Sequence, residues 1–245
     1  MSLAKVNQEW VPLQVKVFSR WVSNHLKGYS DSNVSDITKD LTNGVALVDL
    51  AKVLTEKDSE RPWIHSPKRN VDMVQNCDLA LDMFTKDGVK LVGISGKDVN
   101  DNNEKLILGL VWSLILHYSI GRSVSSESIK DNEQASSTKS TKNNKKVLMS
   151  WANDRISNYP NINNFQPYEL SMCALLDSYV PEKINYYSLD PKDSKHNAEL
   201  ATNVMDDLGI PVFVYPEDIT EGDNQIDKKA LLTQLSSVKV VLDSQ

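Results

Sequence analysis

The stretch that decides the fold is residues 105–120, KLILGLVWSLILHYSI. Its apolar side chains cover almost the whole circumference of a helix instead of one stripe. Such a helix must be buried on nearly every side, or it stays partly exposed for a partner. The run is short for a bilayer span and is interrupted by Gly109, Ser113 and His117, so we expect protein to cover it. Asp101 and Glu104 have the spacing of a capping box and predict where the helix starts.

The composition is that of a globular protein with room for two domains. The 245 residues are 40% hydrophobic and 24% charged. Cys77 and Cys173 lie inside apolar helical patterns, which predicts two buried free thiols in a reducing compartment. The sequence shows no secretory signal, no transmembrane segment and no lipidation motif. We therefore expect a cytoplasmic protein.

The charge is distributed unevenly along the chain. Residues 1–121 carry 14 Lys and Arg against 15 Asp and Glu, whereas residues 144–245 carry 9 against 15. An acidic partner would meet less repulsion from the first part than from the last. Nucleic acid is not expected as a partner, because no block concentrates the cations that phosphate contacts require.

A polar segment divides the chain into two domains. Residues 122–143 contain no aromatic residue and are rich in Ser, Thr, Asn and Lys, which is typical of a flexible polar linker. The predicted domains are residues 10–121 and residues 144–243. Each is expected to be all-α, with four main helices and short connecting helices.

The first domain is predicted to open with a helix that begins around Pro12 and stops near Gly28. Its apolar residues recur at three- and four-residue steps and form a core stripe. The Asn43-Gly44 pair predicts a turn into a second helix, and a third amphipathic helix ends near Gly88. The polar positions of the first helix are left for solvent or a partner; they are Gln14, Lys16, Arg20, Asn24 and Lys27.

The same order of helices returns after the linker, which indicates a tandem duplication. Trp151 corresponds to Trp21, and the segments 171–180 and 197–208 correspond to the second and third helices. The second closing helix, KKALLTQLSSVKVVL, is predicted to be an ordinary amphipathic helix because it contains Thr233, Gln234, Ser236 and Ser237.

Several motifs together resemble the tandem calponin-homology modules that bind actin at the front of filamin, alpha-actinin and spectrin, with filamin the nearest branch. They are VFSRWVSNHLK, LTNGVALVDLAKVL and KLVGISGKDVNDNNEKLILGLVWSLILHYSI in the first domain, and VLMSWANDRI and GIPVFVYPEDI in the second. In place of that family's Asp-Gly-Asn glycine the chain has Asn102, which also tolerates positive φ.

The resemblance implies a non-catalytic F-actin-binding module of a crosslinking protein in the actin cytoskeleton. The first domain is expected to make the main contact, and the second to modulate affinity. The implied actin-binding residues are Gln14, Lys16, Arg20, Asn24, Lys27, Leu106, Leu108, Gly109, Val111, Trp112, Ile115 and Leu116, with a weaker contact at Lys145 and Met149.

Trp112 has a second interpretation. In the alpha-actinin branch a tryptophan at this position lies at the seam between the two domains and faces a lysine. Here that lysine is replaced by Val212, so a cation–π contact cannot form. We expect Trp112 to pack against Val212, Phe213 or Tyr186, or alternatively to lie in the core of its own domain.

Other functions are less well supported by the sequence. The histidines are dispersed, and no metal site, nucleophile with its base, or phosphate loop is found, so neither catalysis nor a cofactor is expected. Binding to phosphoinositide membranes or to microtubules is the alternative, with Lys139, Lys142, Lys145 and Lys146 as the local cation cluster. Dimerisation, which a crosslinker needs, is expected to use regions outside this chain.

Overall fold

The computed structural model describes residues 10–125, 137–219 and 226–244. Within these ranges the regular elements are helical and no β-strand is present. The chain divides between Tyr118 and Ser119 into two compact units. The predicted all-α fold class is confirmed.

The first unit is built on helices. In chain order they are α1 (Val11–Leu26), α2 (Ile37–Asp40), α3 (Val45–Thr55), α4 (Asn70–Lys86), α5 (Gly96–Asn100) and α6 (Glu104–Leu114). Helix α6 packs against α1, α2 and α5. Pro12 lies in the first turn of α1, where its missing N–H is not needed, and Phe18 and Trp21 are buried on its inner face.

The turn before α3 depends on a glycine. Gly44 has a φ of 76°, and a Cβ on it would lie 2.5 Å from the Cβ of Asn76. The side chain of Asn43 accepts a hydrogen bond from the backbone N–H of Val45 at 2.9 Å. The predicted Asn43-Gly44 turn is therefore confirmed, and only glycine fits both its backbone conformation and its close contact with α4.

The start of α6 differs from its prediction. Asn103, not Asp101, is the capping residue, and its side chain accepts from the N–H of Leu106 at 3.4 Å. The capping box lies one helix earlier, where Ser95 and Asp98 cap α5 reciprocally. Asn102 adopts a φ of 57°, as predicted for an asparagine in a glycine position.

The helix predicted over residues 105–120 is longer than the sequence indicated. Helix α6 continues through a π-helical segment, Ile115–Ile120, into α7 (Gly121–Ser125). The 21 residues of Glu104–Val124 are long and apolar enough to cross a membrane, so the run is not too short for a bilayer span, contrary to the prediction. Of the 18-residue window that meets this test, 56% is buried inside the fold, as is common for a core helix.

The second unit is also built on helices. It contains α7, α8 (Ser137–Ile156), α9 (Tyr168–Asp177), α10 (Ser194–Asp207) and α11 (Lys228–Leu242), with 3₁₀ turns at Tyr186–Ser188 and Pro216–Asp218. Helices α7 and α8 thus cover both ends of the segment predicted as a linker. Residues 126–136 of that segment lie outside the described residues.

The prediction that α11 is an ordinary amphipathic helix was wrong. Its polar side chains Thr233, Gln234 and Ser236 are at most 2% exposed. The Gln234 side chain accepts from the backbone N–H groups of Phe213 and Val214, at 2.7 and 3.1 Å. Gln234 is buried because it satisfies the backbone of an adjacent non-helical segment, whereas Thr233 and Ser236 donate to the carbonyls of Lys229 and Thr233 in their own helix.

Candidate functional site

The outer face of α1 carries a polar stripe. Lys16, Arg20, Asn24 and Lys27 follow one another at steps of four, four and three residues, which places them on one side of the helix. Lys16, Asn24 and Lys27 are exposed, and Arg20 is partly exposed, as is Gln14 beside the stripe. Residues 11–27 contain no Asp or Glu. This face is cationic although the whole chain has a net charge of −6.

Helix α6 and its continuation present a second exposed line. Lys105 and Gly109 are exposed, while Trp112 and Leu116 are partly exposed, and these four residues follow at steps of four, three and four. Leu106 is also partly exposed. Lys105 was not among the predicted contacts, and it lies on this exposed line four residues before Gly109.

Gly109 is an unusual residue for this position. It lies inside a helix, where glycine is less stable than alanine by about 1 kcal/mol. Apart from its chain neighbours and the backbone of its own helix, a Cβ at Gly109 would meet no atom within 4 Å in the described part of the chain. The packing of the described residues therefore does not require glycine at this position.

Three of the predicted contact residues lie in the interior. Leu108 is 6% exposed, and Val111 and Ile115 are fully buried. The all-round apolar pattern of the sequence could not distinguish them from the exposed line. The exposed surface of α6 is consequently narrower than the set assigned by resemblance.

Trp112 packs within the first unit. Its ring is stacked with that of the fully buried Phe18 on α1, with centroids 6.1 Å apart. Tyr186, Val212 and Phe213, the expected partners across a seam, are each buried. The seam itself stays a prediction.

The first long helix of the second unit, α8, carries the third predicted contact. Lys145 and Met149 are partly exposed and lie one turn apart. Burial lowers the pKa of the nearby Lys229. The negative charge of Asp227 opposes this shift, and the positive charge of Lys145 adds to it. The other lysines of the predicted phosphoinositide cluster include Lys139 and Lys142, whose side chains lie outside the described part of the chain.

A pocket on α8 lies beside an ion pair whose lysine is buried. Its volume is about 470 Å³, and it is lined by Val147, Ser150, Trp151, Asp154 and Arg155. The ammonium group of Lys239 lies 4.7 Å from the ring centroid of Trp151 and 2.6 Å from a carboxylate oxygen of Asp243. Because Lys239 is fully buried and paired in this way, the cluster is well suited to holding α11 against α8.

Among the described residues, no group of three or more His, Cys, Asp or Glu side chains could hold a metal ion. Cys77 and Cys173 are buried free thiols, as predicted, and burial raises the pKa of each to about 12. Both are therefore protonated and unreactive at neutral pH.

The chain belongs to the calponin homology (CH) domain family, which matches residues 12–120 and again residues 142–240. It is thus a tandem of two CH domains, in a family that is non-catalytic, and the resemblance seen in its motifs is confirmed. It is 33% identical over 238 residues to interaptin of Dictyostelium discoideum, and 32% identical over 231 residues to filamin-C of Rattus norvegicus.

These matches cover most of this chain but little of the relatives. They include 95% and 93% of the present sequence, and only 13% and 8% of interaptin and filamin-C. Among solved structures, the actin-crosslinking core of Schizosaccharomyces pombe fimbrin matches 94% of this chain and 48% of its own, with a TM-score of 0.67 and 21% identity. That likeness shows the fold.

Proposed function

We propose that this chain is an F-actin-binding module of a cytoskeletal crosslinking protein, and that it contacts the filament mainly through its first domain. The proposed interface consists of the exposed polar stripe of α1 and the exposed line of α6. It omits Leu108, Val111 and Ile115, because their side chains are buried. The motif resemblance to filamin and alpha-actinin modules supports actin as the partner.

The observation that carries the proposal is Gly109. An exposed glycine inside a helix costs stability, and no described neighbour within 4 Å explains it. A small residue does allow another backbone or a bulky side chain to approach the helix closely. We infer that the close approach comes from the partner, in line with the exposed Lys105 and the partly exposed Leu116 on either side.

Charge supports the same surface. Lys16, Arg20, Lys27 and Lys105 are exposed or partly exposed on the proposed interface. Actin filaments are acidic, so these cations favour encounter and orientation even though the chain is acidic overall. We therefore expect binding to weaken as ionic strength rises.

The test is co-sedimentation of the purified chain with actin filaments, beside three variants. Gly109→Glu places a long charged side chain in the centre of the interface, at an exposed position where the added Cβ has open space. Gly109→Ala controls for the change in helix propensity. Gln75→Glu adds the same charge at an exposed position of α4, away from the interface.

We expect saturable pelleting of the parent and of Gln75→Glu, and a loss of affinity of about tenfold or more for Gly109→Glu, the effect of disrupting a central contact. Circular dichroism verifies that each variant is folded. A folded parent that stays in the supernatant would contradict actin binding. Equal pelleting of Gly109→Glu and Gln75→Glu would instead move the interface away from α6.

The second domain is proposed to modulate this affinity. Its partly exposed Lys145 and Met149 can add a weaker contact, and its arrangement can limit access to the first domain. Comparing pelleting of the full chain with that of residues 1–120 tests this role. Equal dissociation constants would show that the second domain contributes nothing to binding.

A further inference from the structure

One serine of the chain lies in a distinctive sequence context. Ser66 is followed by Pro67, Lys68 and Arg69. The chain contains nine prolines, and Pro67 is the only one that follows a serine or a threonine. The full sequence therefore offers a single place where an enzyme that requires a hydroxyl followed by proline could act.

The surroundings of Ser66 make it accessible. It lies in the irregular loop of residues 56–69 that joins α3 to α4, and Ser66, Lys68 and Arg69 are all exposed. The loop is held at Ile64, whose N–H donates to the side-chain oxygen of Asn76 at 3.0 Å and whose carbonyl accepts from its amide nitrogen at 2.8 Å. Ser66 follows this anchor by two residues and projects from the surface.

Proline directly after the acceptor is a recognisable chemical feature because it has no backbone N–H. An enzyme pocket with no hydrogen-bond acceptor at this position can bind proline. Any other residue would bury a backbone N–H there without a hydrogen-bond partner. Exposed cations after the proline complement acidic groups on the enzyme. We propose that Ser66 is a phosphorylation site for a proline-directed serine/threonine kinase that also recognises a basic residue three positions later.

The reaction transfers the γ-phosphoryl group of ATP. The Ser66 Oγ attacks the γ-phosphorus, and the new Oγ–P bond replaces the bond from that phosphorus to the β,γ-bridging oxygen. ADP leaves with the bond's electron pair. The hydroxyl proton passes to the catalytic aspartate of the kinase.

Arg69, three residues after Ser66, has a guanidinium group that is only partly used. Arg69 donates from Nε and Nη2 to the two carboxylate oxygens of Asp72, at 2.8 and 2.6 Å. Arginine has five N–H donors, so others are available to a phosphate three residues earlier in the chain. In the described structure no side chain caps the start of α4, where a nearby anion is favourable.

This inference is independent of the proposed actin binding, and its test measures phosphate incorporation. The folded full chain is incubated with a cyclin-dependent kinase and Mg-ATP, then analysed by intact mass and peptide mapping. Three further substrates are run in parallel: Ser66→Ala, Pro67→Ala, and a synthetic peptide of residues 61–71. Circular dichroism before the assay verifies that the variants are folded.

We expect one phosphoryl group on the parent, at Ser66, and none on Ser66→Ala. For Pro67→Ala we expect kcat/KM to fall by about tenfold or more, because the restored N–H must be buried in the kinase. Modification of the peptide but not of the folded chain would overturn the proposal by showing that the fold hides the serine. Incorporation that persists in Ser66→Ala, or none into either the folded chain or the peptide, would overturn it as well.

Discussion

The rings of Phe18 and Trp112 lie parallel, with centroids 6.1 Å apart and planes inclined by 10°. This pair joins α1 to α6, the two helices that carry the proposed interface. The Phe18 ring is fully buried, whereas Trp112 is partly exposed beside Gly109. This aromatic contact thus contributes to the relative position of the two helices that carry the exposed surfaces.

Replacement of Trp112 tests how much this contact stabilises the first domain. Trp112→Ala removes both the stack and part of a large apolar surface, so we expect the free energy of unfolding to fall by about 1–3 kcal/mol. Trp112→Phe keeps a ring and should recover about half of the loss. Urea denaturation measures both. An unchanged midpoint for Trp112→Ala would contradict a packing role within its own unit.

Gly109→Ala is expected to stabilise the protein. The added methyl group meets no described atom within 4 Å and reduces the conformational freedom of the unfolded chain, which should raise the free energy of unfolding by about 0.5–1 kcal/mol. Gly28 provides a matched control. It too has open space around a Cβ, but its φ is +79°, so Gly28→Ala should destabilise by about 1 kcal/mol. Destabilisation by both substitutions would show that Gly109 has an unseen role in the fold.

Gln234→Leu tests the buried polar contacts of α11. The substitution leaves the backbone N–H groups of Phe213 and Val214 without their acceptor in a buried site. We expect a loss of about 2–4 kcal/mol in unfolding free energy, even though leucine is the more apolar residue. Thermal unfolding measures the effect. A gain in stability would mean that other groups satisfy this backbone segment.

Alkaline pH should destabilise the fold through its two thiols. Burial raises the pKa of Cys77 and Cys173 to about 12, above the value of about 8.5 in an unfolded chain. The unfolded state therefore loses these protons first. The contribution of the two protonated thiols to stability is present below pH 8.5 and is lost as pH rises from there towards 12.

The thiol contribution is measured by comparing the parent with Cys77→Ala and Cys173→Ala in urea at pH 7.5 and pH 10. Each substitution should reduce the loss of stability between these two pH values by about 1–2 kcal/mol. Other groups also titrate in this range, but they are common to all three proteins. Identical losses in all three would show that the thiols titrate normally in the folded state.

Local patterns in the sequence predicted the elements that depend on local chemistry. The stripe of α1 and the Gly44 turn were both visible because periodicity and turn residues act over a few positions. The exposed line of α6 was not visible, since Leu108 and Gly109 are adjacent in a run that is apolar on all sides. The burial of Gln234 was equally hidden, because its acceptor role depends on a segment 20 residues away.

Asn76 anchors the backbone of the surface loop before α4 to the core. Its side chain, 1% exposed, holds both backbone groups of Ile64 while its Cβ lies against Gly44. The Ile64 side chain is 36% exposed, yet its amide hydrogen is tied to a core residue. Exchange of that hydrogen with deuterated solvent should therefore follow the slow opening of α4 and not the rapid motions of a surface loop.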